Sequence, residues 1–393
     1  MVRRKKVLLA GVIILLLTAA ACETKSYEDS LEELGEKQEE GLVMESEDIA
    51  EGSLDSEETV VPAVPETEKE EVPNVIEEDL IVLQNPEMYT YENMVHDLET
   101  LPLLYGEVVS LDSLGQTMDG REIYHLVIGN KDAEVKILIN GSIHAREYMT
   151  SQLVMKQTAV FLKNLAAGNT YADQTYEELL QNVAIHVVPM INPDGVSISQ
   201  FGMDGILTEA VKERVREIAA LDGSAAEGNY LTRWKANGNG VDINRNFDAL
   251  WASYAGPSHP SCDHYKGESV GCEPESAALI QLTETEMFDR TISYHTQGSV
   301  IYWYFAQEGE LYDETLDFAN CISNITGYPT DANYEYLDPA GYKDWGICKL
   351  GIAGLTVEVG RETSPVPASQ FADIWAKNQY VWEQTILNAK EWE

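Results

Sequence analysis

Beyond about residue 80 the chain alternates strand-like and helix-like stretches. Residues 89–103 repeat apolar side chains at helical spacing, and 121–128 (REIYHLVI) alternate in the manner of a half-buried strand. Residues 135–143 (VKILINGSI) and 182–190 (NVAIHVVPM) are apolar runs of the length a buried strand needs, with a helical stretch at 147–165 between them. The second run ends in the turn Asn192-Pro193-Asp194-Gly195. Further helical patterns lie at about 207–220, 274–288 and 368–390, and strand-like ones at 291–295 and 354–359. Alternation of this kind predicts one α/β domain, a largely parallel central sheet covered by helices on both faces, over residues 80–393.

The first 80 residues follow neither period. A basic start (Arg3, Arg4, Lys5, Lys6) precedes an apolar run from Val7 to Leu17, and Ala19-Ala20-Ala21 leads into Cys22. The run is too short for a membrane span and reads as an export signal over residues 1–22. Two endings are open: ordinary cleavage after Ala21, or a lipoprotein signal in which Cys22 carries the lipid and anchors the chain on the outer face of the membrane. Either predicts a protein that works outside the cytoplasm. Residues 23–79 hold 22 Asp and Glu against three Lys, a net charge of −19 with almost no aromatic side chains. Such a stretch cannot bury enough apolar surface to offset the entropy of ordering, and self-repulsion extends it, so it is expected to be a disordered tether.

Once the basic start (+4) and this tether are set aside, the chain's −41 leaves −26 on residues 80–393. That balance argues against nucleic acid as a partner. A monomer is expected. In an oxidising compartment Cys262 with Cys272, and Cys321 with Cys348, are candidate disulfides, and their spacing matches no zinc-binding cysteine pattern.

The candidate chemistry starts at the end of the first buried strand, where the sequence continues His144-Ala145-Arg146-Glu147. Residues three apart on a helical turn share a side, so His144 and Glu147 can reach one ion, and zinc favours this donor set. The spacing alone is weak: His96-Asp97-Leu98-Glu99 repeats it on the polar face of a predicted helix, where a solvated pair is the expected outcome. Placement at a strand's C-terminal end separates the two, because α/β sheets build their sites there. His295 ends the strand-like run at 291–295 and is the expected third ligand, leaving one position open for water. His125 and His186 fall inside strand patterns and read as core residues. His259 and His264 lie in a Gly/Pro/Cys-rich loop.

With these residues in place, the chain from about Tyr89 onward resembles the zinc metallocarboxypeptidases of the carboxypeptidase A type (the M14 family). The matching pieces are HARE at 144–147, NPDG at 192–195, VDINRNFD at 241–248, SYH at 293–295, a tyrosine nine residues before Trp345, and TVEV at 356–359. The resemblance implies a mixed eight-stranded sheet between helices and one zinc ion on His144, Glu147 and His295. It implies that Asp242 orients His144, that Asn244 and Arg245 hold the free carboxylate of a peptide substrate, and that Arg146 lines an adjacent subsite. By the same resemblance Tyr336 closes over the bound residue and Glu358 is the general base and acid. A carboxylate ending an apolar strand is itself awkward for a purely structural residue.

The chain departs from the family pattern before VDINRNF. The arginine expected there to stabilise the oxyanion has Arg233 as its nearest candidate and Lys235 as a rival. The wording RWKANGNGVDINRNF and YHTQGSVIYW is more similar to the bacterial branch that cuts γ-D-glutamyl–diamino acid bonds in cell-wall peptides. Lys343 stands where the family places the floor of the pocket for the released residue, and a lysine there favours a carboxylate-bearing side chain. Diaminopimelate, Glu or Asp would satisfy it. Three readings follow: a peptidase trimming peptidoglycan stem peptides, a scavenging carboxypeptidase preferring acidic C-termini, and a peptide-binding protein on the same fold without catalysis.

Overall fold

The computed structural model describes residues 76–392, which lie in one compact unit spanning Glu71–Glu393. In chain order its elements are α1 (Tyr91–Tyr105), β1 (Val109–Gln116), β2 (Glu122–Gly129), β3 (Val135–Asn140) and α2 (Met149–Ala166). A small hairpin, β4 (Thr170–Tyr171) and β5 (Gln174–Thr175), leads to α3 (Tyr176–Leu180), β6 (Val183–Val188) and α4 (Pro193–Phe201). Next come α5 (Glu209–Leu221), α6 (Gly228–Thr232), α7 (Pro274–Glu286), β7 (Arg290–Thr296), β8 (Val300–Tyr302), α8 (Gly309–Thr326) and β9 (Thr330–Asp331). The chain ends with α9 (Tyr342–Trp345), β10 (Ala353–Val359), α10 (Phe371–Asn378) and α11 (Val381–Glu391).

Eight strands form one mixed sheet in the order β1-β2-β6-β3-β7-β10-β8-β9. Its centre, β6-β3-β7-β10, is parallel throughout, β2 pairs antiparallel with β1 and β6, and β8 pairs antiparallel with β10 and parallel with β9. All six residues of β6 and all seven of β7 are buried, as a strand covered on both faces requires, although only β6 is a mostly apolar run and β7 (RTISYHT) is largely polar. Strand alternation then divides the core. Ile137 and Ile139 face the layer containing Leu98 of α1, Leu153 of α2, Phe318 of α8 and Ile386 of α11, whereas Leu138 packs with Phe247, Leu279 of α7 and Trp345 of α9. The three parallel neighbours β3, β7 and β10 all run toward the same rim, and that rim carries the chemistry. Among the described residues no helix is long and apolar enough to cross a membrane.

Several expectations need correction. The described chain starts a few residues before 80, where Glu77–Asp79 form a 3-10 turn, and within the expected domain Leu80 and Val82 are fully buried and Asp97 of α1 accepts the Ile81 and Val82 N–H groups at 2.7 and 2.9 Å. The export signal, Cys22 and most of the acidic stretch lie outside the described residues. The helix expected over 368–390 is broken into α10 and α11, since the Gln157 amide takes the Asn378 carbonyl at 2.8 Å and so ends the first helix. The four cysteines named as candidate disulfide partners are free thiols. Each is held elsewhere: Cys321 on α8 donates to Gln384 of α11, Cys348 sits in the turn after Trp345, and Cys272 lies beside Asn246. Burial pushes the Cys262 thiol up to about 11. The strand at 109–116 and the edge strands β8 and β9 were not anticipated.

One buried acid gives the domain a pH dependence of its own. Glu383 of α11 accepts the Tyr176 hydroxyl at 2.6 Å, while its second oxygen is buried without a partner. Burial pushes its carboxyl up to about 7 against the Tyr176 bond, which pulls the other way. The folded chain therefore keeps this proton between about pH 4.5 and 7 where the unfolded chain has lost it, so stability falls as pH rises through that window. Glu383→Gln mimics the protonated acid. It should stabilise the domain by about 1–3 kcal/mol at pH 8 and by almost nothing near pH 4, read from urea midpoints at the two values.

Candidate metal centre and cleft

His144 follows β3 in extended backbone, and the 3-10 turn Ala145–Glu147 brings Glu147 to the same side. His295 arrives from β7, the strand next to β3. His144 Nδ1 lies 2.9 Å from Glu147 Oε1 and 3.1 Å from His295 Nδ1, and His295 Nδ1 lies 3.0 Å from Glu147 Oε2. The three side chains are buried, and each offers a ligand atom within 4.8 Å of the others. Two imidazole nitrogens and one carboxylate converging on a point, with the cleft open on the fourth side, fit zinc in a catalytic setting. Burial by itself would raise the Glu147 carboxyl, but His144 and His295 outweigh it and keep it ionised, as a ligand must be.

The second nitrogen of His144 is fixed from behind. Nε2 stands 3.2 Å from Asp242 Oδ1, which leaves Nδ1 directed at the metal point. Asp242 is fully buried and its Oδ2 meets Lys235 Nζ at 2.9 Å. Burial would raise Asp242, yet Lys235 and His144 overcome it and hold the carboxyl well below its usual range. Burial would likewise lower Lys235, and Asp242 with Asp263 reverses that, so the lysine stays charged. The NPDG turn explains why Lys235 sits here. Asn192 Oδ1 accepts the Gly195 N–H at 2.9 Å and Asn192 Nδ2 donates to the Ala236 carbonyl at 3.0 Å, clamping residues 235–236 beside the metal point. Gly195 is required: a Cβ there would lie 2.4 Å from the Ala236 carbonyl oxygen.

Lys235, expected only as a rival, takes the inner position. Arg233 is exposed on the rim, where its carbonyl accepts Arg146 Nη1 at 3.0 Å. Arg146 is also 3.4 Å from Asp263, an acid from the loop that the sequence had made least of. The other histidines fall where expected. His125 and His186 form a buried pair 3.0 Å apart whose rings burial lowers to about 4 and about 3, and His96 and Glu99 are exposed.

The metal point opens into a cleft of about 670 Å3 that also takes in Asn244, Arg245, Tyr336, Lys343 and Glu358. Glu358, on β10, is the register partner of His295. Its Oε2 is shielded from solvent without a hydrogen bond, and burial together with the Glu147 charge pushes the carboxyl up to about 7. Arg245 leans on the Tyr254 ring 5.1 Å away, and Asn244 Oδ1 accepts the Tyr342 N–H at 2.9 Å. Tyr336 is 62% exposed on a loop over the cleft, open rather than folded over it. Lys343 is buried at the floor, ion-paired with Asp344 and donating to the Tyr304 carbonyl at 3.3 Å. Sequence reading missed the two acids Asp338 and Asp344. Their adjacency to Tyr336 and Lys343 was the available signal.

Comparison with known proteins agrees with this geometry. The zinc carboxypeptidase family, Peptidase_M14, matches residues 94–381. A Gamma-D-glutamyl-L-diamino acid endopeptidase 1 from Lysinibacillus sphaericus is 32% identical over 290 residues, 73% of this chain and 69% of that protein. Uncharacterized protein YqgT from Bacillus subtilis is 31% identical over 283 residues, 71% of this chain and 73% of that one. Among solved structures, thrombin activatable fibrinolysis inhibitor superposes with a TM-score of 0.61 at 18% identity, covering 78% of this chain and 75% of that one. Carboxypeptidase A from Helicoverpa armigera gives 0.57 at 18% identity, over 78% and 73%. At such identities these two speak for the fold alone. With the ligand triad and the half-buried glutamate assembled as described, the chain belongs to the M14 zinc carboxypeptidase family and is a zinc-dependent peptide hydrolase.

Proposed function

We propose that this peptidase cuts the γ-D-glutamyl–diaminopimelate bond of peptidoglycan stem peptides, outside the cytoplasm, on a chain exported and held at the membrane surface by its N-terminal segment. The observation that carries the reading is the charge of the cleft floor. Lys343 alone would favour a carboxylate, but it is paired with Asp344, whose carboxyl burial pushes up against the pull of Lys343. A floor holding both signs fits a released residue whose side chain ends in both an ammonium and a carboxylate, as diaminopimelate does, better than a plain Glu or Asp. The 32% identity to a protein named as a γ-D-glutamyl-L-diamino acid endopeptidase supports the same substrate class.

In this reading Asn244 and Arg245 hold the carboxylate next to the scissile bond, since the arginine fork matches carboxylate geometry. Zinc, when bound on His144, Glu147 and His295, supplies Lewis acidity that lowers a water's pKa toward roughly 7 and polarises the carbonyl. Glu358 takes a proton from the attacking water and returns it to the leaving amine, a task suited to a carboxyl poised near neutrality. Lys235 provides the fixed positive charge beside the developing oxyanion.

Zinc-loaded protein should release diaminopimelate from L-Ala-γ-D-Glu-diaminopimelate, followed by mass spectrometry. Cleavage confined to α-linked peptides ending in Glu would replace this reading with the scavenging one. Glu358→Gln should keep its zinc, measured by metal analysis, yet lose kcat by about three or more orders of magnitude, while Asp242→Ala should weaken zinc binding about 10–100-fold. Lys235→Ala should cost about 10²–10³ in kcat with Lys235→Arg recovering most of it, and Arg233→Ala should stay within about threefold of wild type.

A further inference from the structure

The carboxylate-binding arginine already holds a carboxylate. Asp338 Oδ2 lies 2.7 Å from Arg245 Nη2, while Arg245 Nη1 donates to the Asn244 carbonyl at 2.9 Å. Nε of the same guanidinium is buried without a partner. The Arg245 side chain is only 10% exposed, whereas the Asp338 side chain is 56% exposed. A deep, fixed cation is thus covered by a shallow anion from the solvent side, the side from which a substrate carboxylate must come.

Asp338 stands two residues after Tyr336 on the segment between two anchors. On one side β9 pairs with β8 through Asp331 and Tyr302. On the other, Ala340 is clamped to residues 247–249, its N–H donating to the Ala249 carbonyl at 2.7 Å and its own carbonyl accepting the Phe247 N–H at 3.2 Å. Immediately beyond, Gly341 leaves room for the Asp344 carboxylate, which a Cβ would approach to 2.5 Å. Between the anchors the Asp338–Arg245 pair ties the Tyr336 segment to the floor of the cleft.

We propose that Asp338 is an internal occupant of the substrate-carboxylate site, and that an incoming carboxylate must exchange with it on Arg245. Two carboxylates brought onto the same guanidinium edge repel, so binding of one displaces the other. Displacement cuts the tie to the segment carrying Tyr336, so recognition of the carboxylate and release of that tyrosine become one event. Asp338 then sets how strongly an anion must bind before the cleft accepts it, and weakens binding of every carboxylate-bearing ligand alike. This rests on the assignment of Arg245 as the carboxylate anchor made above.

Binding of free diaminopimelate, the product, tests the exchange without requiring turnover. On the zinc-loaded full chain, calorimetry should show Asp338→Asn binding it about three- to tenfold more tightly than wild type, the range expected when a half-exposed competing ion pair is removed. Arg245→Ala should abolish most of the binding. With the tripeptide substrate Asp338→Asn should lower KM by a similar factor with kcat changed less. If Arg245→Ala leaves binding intact, the anchor assignment has failed and the exchange falls with it. If Arg245→Ala weakens binding but Asp338→Asn leaves it unchanged or weaker, the anchor stands and the exchange is overturned, with Asp338 then a substrate contact or a bystander.

Discussion

Everything on the rim depends on one buried anion. Asp242 has no solvent exposure, and such a charge persists only when it is paired. Its two oxygens face His144 and Lys235, which come from opposite sides of the site: one from the end of β3, the other from the segment clamped by the NPDG turn. Satisfying Asp242 therefore fixes the His144 imidazole of the metal triad and the Lys235 ammonium beside it in a single arrangement. Breaking either contact strands a charge in the interior, so the network is held together by the cost of its own failure.

The sheet supplies the second constraint. Three adjacent parallel strands end at one level, so ligands from β3 and β7 and the glutamate from β10 arrive side by side, with Glu358 in register with His295. Parallel pairing needs both faces covered, and the helical layers that cover them also exclude water from the site. That exclusion raises Glu358 to about 7 and, by the same physics, raises Glu383 on the opposite layer, where the shift has no catalytic use and only makes folding sensitive to pH. A perturbed acid is thus informative only together with what surrounds it.

The cleft beyond the metal is a field of compensated charge: Arg245 with Asp338, Lys343 with Asp344, Lys235 with Asp242 and Asp263. Each of these three cations has an acid of the chain against it. Lys343 read alone pointed to an acidic side chain. Lys343 beside Asp344 presents both signs at the floor of the cleft.

Strand and helix periodicity were enough to place five strands to within a few residues, β3, β6 and β10 from their buried apolar runs and β2 from its alternation. The chemistry at the strand ends was equally legible, since His144, Glu147, His295 and Glu358 sit at the points where those runs stop. Short edge strands such as β8 and β9 left no pattern, being too brief to show a period. The free thiols and the split of the last helix depended on neighbours distant in sequence, Gln384 for Cys321 and Gln157 for the Asn378 carbonyl. The choice of Lys235 over Arg233 was likewise beyond sequence: two residues apart on one segment, one is clamped inward and the other left on the rim. By itself the sequence determined which residue types lie at each strand end. Only the tertiary structure decided which charges face one another, because ion pairing across a cleft is set by distance in space and leaves no period along the chain.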